Sequence, residues 1–191
     1  MNIQSFFFYN RSYTPIPIVI TIIYFSNIQK LFFFLGLILI LIGEIIRLHA
    51  VSYAGGKTRT RNVGASSLCT AGPYSITRNP LYIGNMIIYF GVVFLSGGPL
   101  ILELILTVLI FFSIQYSFII SLEEKKLIEL FKNEYINYQK NVPAIIPRLH
   151  PWKSSDNRIP YTITQTIKIE KRTLQNIFLI ISCIVTKSLF F

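Results

Sequence analysis

Charge is scarce in this 191-residue chain: Asp, Glu, Lys and Arg make up 14% of it, where a soluble domain carries about a quarter. Acids are scarcer still, 8 against 18 Lys plus Arg, for a formal net charge of +10. Histidine occurs only as His49 and His150, with no ligand-spaced partner, so no metal is expected. The two cysteines, Cys69 and Cys183, make no CxxC pair and imply no disulfide framework. There is no P-loop, no GxGxxG and no nucleophile motif. The opening MNIQSFFFYNRSYTPIPI lacks a basic start and a small-residue cleavage site, so no cleavable signal peptide is expected. No nucleic-acid motif accompanies the positive charge, and no nucleic-acid partner is expected. The basic residues border apolar runs, as positive-inside bias and attraction to anionic lipid require.

What the chain has in abundance is apolar side chains, 52% of all residues. That composition at this length predicts one all-α domain over 1–191, an integral membrane helical bundle. A bilayer core takes about 20 apolar residues per helix. Leu31–Ala50 fits, broken only by Glu44 and Arg47, and Pro99–Leu122 fits with Glu103 inside it. Leu81–Ser96 is shorter but abuts the turn signal Gly97-Gly98-Pro99, which makes the two a transmembrane hairpin. Leu174–Phe191 reads as an additional C-terminal span. A first, short segment runs over Pro15–Ile28, or starts near Phe6 with Pro15 and Pro17 kinking it. About five transmembrane helices result.

Basic residues orient them. Lys57, Arg59, Arg61 and Arg78 occupy the first long loop, ten basic residues lie between Glu123 and Arg172, and the hairpin tip has none. The long loops and the N-terminus then face the cytoplasm, with Lys30 an exception at the outer side. Past Leu122, apolar side chains at Leu127, Leu130, Phe131, Tyr135 and Tyr138 recur at helical spacing. They predict a cytoplasmic amphipathic helix that ends before NVPAIIPRLHPW, where three prolines forbid a regular helix.

Three charged constellations stand out, each with a structural and a functional reading. Arg78-Asn79-Pro80 has Asn at an N-cap and Pro at the first helical position, which starts a helix. The same helix start, with Arg78 beside it, suits a carboxylate or phosphate. Glu123-Glu124 is either a charged collar partnered by Lys125 and Lys126 or a site for an ammonium or sulfonium. Glu44 and Arg47, three apart on one face, are either a structural pair or line a site. An anion site and a cation site on adjoining hairpin arms would suit a zwitterionic, amino-acid-like ligand.

The order Gly72, Tyr74, Arg78, Pro80, Tyr82, Gly84, then Glu123-Glu124, then Tyr135, Tyr138, Val142, Pro143 and Pro147 resembles the isoprenylcysteine carboxyl methyltransferases and their phospholipid methyltransferase relatives. The match covers Leu68–Arg148, within a core of about 31–150. It implies a membrane-bound methyltransferase that uses S-adenosylmethionine and acts on a membrane lipid or another lipophilic substrate, with the active site facing the cytoplasm. Leu68, Tyr74, Arg78, Asn79, Pro80, Leu81, Tyr82, Glu123 and Glu124 would bind the cofactor. Two positions depart from that pattern. Asn79 stands where the carboxyl methyltransferases have histidine, and Ile119 stands where they place a substrate-facing arginine. The acceptor, an isoprenylcysteine carboxylate or a lipid amine, therefore stays open. The rival readings are an NADPH-dependent sterol or enone reductase and a non-catalytic membrane bundle.

Overall fold

A computed structural model describes residues 2–56 and 64–190. Lys57, Arg59 and Arg61, counted above toward the charge of the first long loop, lie outside these residues. Among the described residues the chain forms six α-helices and no strand. They are α1 (Ile3–Asn10), α2 (Ile16–Tyr24), α3 (Lys30–Ala54), α4 (Pro80–Ser96), α5 (Ile101–Asn141) and α6 (Ile163–Phe190), with a 3₁₀ turn at Gly72–Ser75.

The first expected segment is thus two helices. At about 1.5 Å per residue, α1 with 8 residues and α2 with 9 are each far shorter than a bilayer core of about 30 Å. The chain bends between them just before Pro15 and Pro17, whose missing N–H groups suit a helix start. Side chains hold α1 and the bend along α5: Gln4 Nε2 donates to Ser121 Oγ at 3.0 Å, and the Thr14 hydroxyl donates to Gln115 Oε1.

Three helices, α3, α5 and α6, are long and apolar enough to cross a membrane, and α4 is shorter. Their outer faces leave Leu31, Phe34, Ile38, Leu41 and Ile45 of α3, Leu102, Leu106 and Ile110 of α5, and Phe178 and Leu179 of α6 exposed. Water would penalise so much contiguous apolar surface, and lipid does not: this is a membrane protein. Gly97, in left-handed conformation with φ 58°, ends α4 and opens the hairpin to α5.

Two further differences have local causes. First, α6 begins eleven residues before the apolar run that predicts it. Thr162 and Gln165 form a reciprocal capping box there: the Thr162 N–H donates to Gln165 Oε1 at 3.1 Å, and the Gln165 N–H to Thr162 Oγ1 at 3.4 Å. Second, the amphipathic stretch after Leu122 is helical, but Lys132 leaves helical geometry (φ 47°, ψ −122°) and kinks α5. Beyond the kink, Tyr135 and Tyr138 are buried with Leu68 and Val142 in a small second core, against Leu127, Phe131 and Trp152. Leu130, expected on that apolar face, is exposed.

The main core fills the space between α4 and α5, with Val92, Val93, Leu95, Val108, Phe112 and Ile119 at most 2% exposed. Helices α3 and α4 approach closely because glycines meet. A Cβ on Gly43 would lie 2.7 Å from the Gly84 carbonyl oxygen and 2.7 Å from Ile88 Cγ1. In lipid, such small-residue contacts take over the role that the hydrophobic effect plays in water. Gly43→Val should force the pair apart and cost about 1–3 kcal/mol, the usual penalty of overpacking. A thermal melt of the detergent-purified protein checks this, and an unchanged midpoint would contradict the close contact.

Candidate functional site

The site begins where an irregular run meets a helix start. Prolines cannot donate a backbone hydrogen bond, so the segment after α5 offers its neighbours mainly carbonyls. The stretch from Ser75 to Asn79 answers them. The Arg78 N–H donates to Pro143 O at 2.9 Å, the Thr77 hydroxyl to Ala144 O at 3.1 Å, and Asn79 Nδ2 to Ala144 O at 3.0 Å. In return Arg148 N–H donates to Ile76 O and Trp152 N–H to Ser75 O. Tyr138 adds a bond from its hydroxyl to Tyr74 O at 2.7 Å.

Arg78 completes the join. Its Nε and Nη2 donate to Glu124 Oε1 at 2.9 and 2.7 Å, and its Nη1 donates to the Gln139 and Val142 carbonyls. The sequence suggests Arg78 as a fixed charge for an external anion; instead its guanidinium is committed inside the protein. The same contact takes up Glu124, which also accepts from Gln139 Nε2 at 3.0 Å. The lysines expected to partner the paired acids do not do so here; Lys126 pairs with Glu129 at 2.8 Å.

Asn79 occupies the N-cap position of α4, as its sequence position predicts, yet makes no side-chain cap. Its amide has turned to Ala144, so the opening N–H groups of α4 carry no side-chain cap. Glu123 sits across from them. Its Oε2 accepts from the Tyr82 hydroxyl at 2.9 Å, and Arg11 Nη1 stands 3.6 Å from its Oε1.

Between these groups lies a cavity of about 470 Å³. Leu68, Tyr74, Arg78, Asn79, Pro80, Leu81, Tyr82, Glu123 and Glu124 all line it. Those nine residues come from three separate stretches of chain, and the fold brings every one of them to one space. Burial drives the Tyr74 phenol far above its usual range, so it stays a neutral donor. Burial likewise pushes the neighbouring Cys69 thiol up to about 11, outweighing the nearby Arg158 charge.

Deeper in, the cavity is walled by aromatic rings. Tyr82 stacks on Tyr116 with centroids 4.5 Å apart, Tyr116 meets Phe112 at 5.2 Å, and Phe112 meets Tyr89 at 4.4 Å. Arg47 closes one side of this end. It pairs with Glu44 at 3.7 Å, bonds Glu170 Oε2 at 2.8 Å and Thr173 Oγ1 at 3.3 Å, and donates to Asn85 Oδ1. The two readings of Glu44 and Arg47 therefore hold together: they are a buried pair, and Arg47 also lines the cavity.

Sequence reasoning missed Asn85, Gln115, Glu170, Thr173 and Arg158, all on the cavity wall. Glu170 lies among Lys168, Lys171 and Arg172 and reads as solvated, yet it is fully buried. The capping box at Thr162 is the signal that would have carried α6, and Glu170 with it, into the bundle.

Arg78→Ala should cost about 3 kcal/mol, because it strands Glu124 and leaves two carbonyls without donors. Arg78→Lys should rescue little, since one ammonium cannot copy a planar fork with three recipients. Thermal melts and limited proteolysis of the proline-rich segment test this. Wild-type melting and cleavage in Arg78→Ala would refute the clamp.

The profile of the phospholipid methyltransferase family matches residues 31–134, more than half of the chain. The chain is similar to a methanethiol S-methyltransferase of Pseudomonas deceptionensis, 32% identical over 128 residues, covering 65% of this chain and 47% of the relative. It is also similar to the protein-S-isoprenylcysteine O-methyltransferase of Saccharomyces cerevisiae, 35% identical over 127 residues, covering 64% and 52%. A cobalt-zinc-cadmium resistance protein of Cupriavidus metallidurans is 28% identical over 122 residues, covering 64% and 52%. The chain spans about half the length of the curated relatives it matches. No solved structure matches it significantly. By the extent of the profile match, together with the helical membrane fold and the motif order on the cavity wall, this protein belongs to the phospholipid methyltransferase family.

Proposed function

We propose that this protein moves a methyl group from S-adenosylmethionine to a lipophilic acceptor. The observation that carries the reading is a cavity lined both by Glu123, with the first turn of α4 bonded to it through Tyr82, and by a run of aromatic rings. Its size of about 470 Å³ falls in the range of small-molecule sites, roughly 300–1,000 Å³.

The residues present fit the donor. Glu123 accepts one hydrogen bond from Tyr82 and has Arg11 3.6 Å away, and its carboxylate keeps lone pairs for an ammonium group. The start of α4 has no side-chain cap, and with Pro80 lacking an N–H and Tyr82 and Ile83 donating to the Asn79 carbonyl, it offers the Leu81 N–H and a positive dipole end to a carboxylate. Leu68, Tyr74, Pro80, Leu81 and Tyr138 give apolar and aromatic surface to the remainder. In this assignment Arg78, Asn79 and Glu124 shape the pocket through the clamp, and they line it without carrying the recognition alone. When bound, S-adenosylmethionine supplies an electrophilic methyl on a sulfonium centre. The chain's own task is to orient and to exclude water, which needs no acid–base pair for an acceptor that arrives ionised. The acceptor must bring a free lone pair, as a carboxylate, a thiolate or a neutral amine whose proton leaves to water after transfer, and the aromatic end is suited to its apolar body.

We further place α3, α4, α5 and α6 across the bilayer, with the α1–α2 pair as the fifth element. The stretch past Leu122 and the proline-rich run then cover the cavity from the cytoplasm. One membrane domain over 1–191, with its core at about 31–150, follows from that arrangement.

Calorimetric titration of the detergent-purified protein should give heat with S-adenosylhomocysteine and none with NADPH. The reverse pattern would make the protein a reductase, and silence with both would make it a non-catalytic bundle. In a labelled-methyl assay on membranes, Glu123→Gln should lose at least about tenfold in rate, the worth of one charge-assisted contact. Undiminished labelling in that variant would remove Glu123 from the donor site, and the fraction that carries label identifies the acceptor class.

A further inference from the structure

Beyond the proline-rich run, the chain passes through Trp152-Lys153-Ser154-Ser155-Asp156-Asn157-Arg158, outside the family-matched stretch. This segment grips the outside of residues 68–70, an irregular run that has no helix or strand to satisfy its backbone. Asp156 Oδ2 accepts the Thr70 N–H at 2.8 Å, and Arg158 Nη2 donates to the Leu68 carbonyl. Arg158 Nε joins the two, donating to Asp156 Oδ1 and Oδ2 at 3.0 and 2.9 Å. The Thr70 hydroxyl donates to Ser154 Oγ at 2.9 Å, and the Trp152 ring lies 5.8 Å from Tyr138. The inner side of the same run is functional surface, because Leu68 and Cys69 line the cavity, as does Arg158.

We propose that Asp156 and Arg158 are positioning residues, a latch that fixes the 68–70 wall of the cavity and thereby sets its affinity for the methyl donor. The ligand assignment rests on the methyltransferase reading; the latch itself does not. Partial burial acts to raise the Asp156 carboxyl, but the Thr70 N–H and the Arg158 guanidinium outweigh it and hold the group below its usual range. The pair therefore stays charged throughout the neutral range.

Cys69 reports on the latch directly. Arg158 lowers its thiol pKa and burial raises it. Losing the Arg158 charge alone would push the thiol higher and slow alkylation, because the thiolate is the reactive form. Opening of the wall would expose the thiol and speed alkylation, so the sign of the change separates the two effects. The experiment uses the full-length protein in detergent, with iodoacetamide labelling of Cys69 followed by mass spectrometry and calorimetry with S-adenosylhomocysteine. Arg158→Ala should label faster than wild type, and Arg158→Ala and Asp156→Asn should each weaken S-adenosylhomocysteine binding about tenfold. In turnover the loss should appear in KM for the donor, with kcat at saturation nearly unchanged, and Asp156→Glu should recover part of it. Unchanged or slower labelling in Arg158→Ala overturns the latch. Faster labelling with wild-type affinity, or a parallel fall of kcat and melting temperature with KM unchanged, overturns its positioning role. A wild-type protein that binds no S-adenosylhomocysteine, while Arg158→Ala still exposes Cys69, overturns the donor assignment and upholds the latch.

Discussion

The site depends on a shortage of donors. The end of α5 and the proline-rich run after it present carbonyls that their own backbone does not satisfy, and a half-buried acid, Glu124, sits beside them. Arg78 answers both at once: one planar guanidinium reaches the carboxylate and two carbonyls, while its own N–H takes a third. Charge-assisted bonds of this kind are among the stronger ones a protein makes. They tie the start of α4, the exit of α5 and the proline-rich run into one rigid collar. Glu123, next to Glu124, also lines the cavity, held by the Tyr82 hydroxyl.

Further in, a second arginine solves a different problem. Arg47 lies in an apolar stretch of α3, where an uncompensated charge is costly. Glu44 from its own helix, Asn85 from α4, and Glu170 and Thr173 from α6 surround it. This cluster joins α6, otherwise little buried, to the rest of the bundle. At the opposite end of α6, Lys187 donates to the Tyr24 and Ser26 carbonyls at 2.8 and 2.6 Å. A helix with few packed side chains is thus held at two points by polar contacts, the Arg47–Glu170 one strengthened by its burial.

The helical membrane class was legible from hydropathy, and the hairpin from its glycine turn. The nine motif residues were legible as a set, because their order along the chain resembles a known family's. Their individual roles were less so. Whether Arg78 faces a ligand or a carbonyl depends on how the run near Pro143 folds back, which local pattern does not encode. The same holds for Asn79, which sits at the N-cap yet turns its amide to Ala144. Hydropathy also hid Glu170, since an acid among lysines and arginines reads as solvated until the helix that carries it is packed. The break between α1 and α2 was signalled by prolines, but their docking along α5 through Gln4 and Thr14 was not.

The cavity draws its walls from unequal sources. Leu68 through Glu124 lie inside the stretch shared with the family, whereas Phe8, Arg11 and Pro15 at one flank and Arg172, Thr173 and Asn176 at another lie outside it. The Arg78 guanidinium spends its hydrogen bonds on Glu124, Gln139 and Val142. Substitutions in those two flanks change the cavity wall without touching the three groups that Arg78 holds. A fold of that kind can diversify what it accepts without rebuilding the clamp at its mouth.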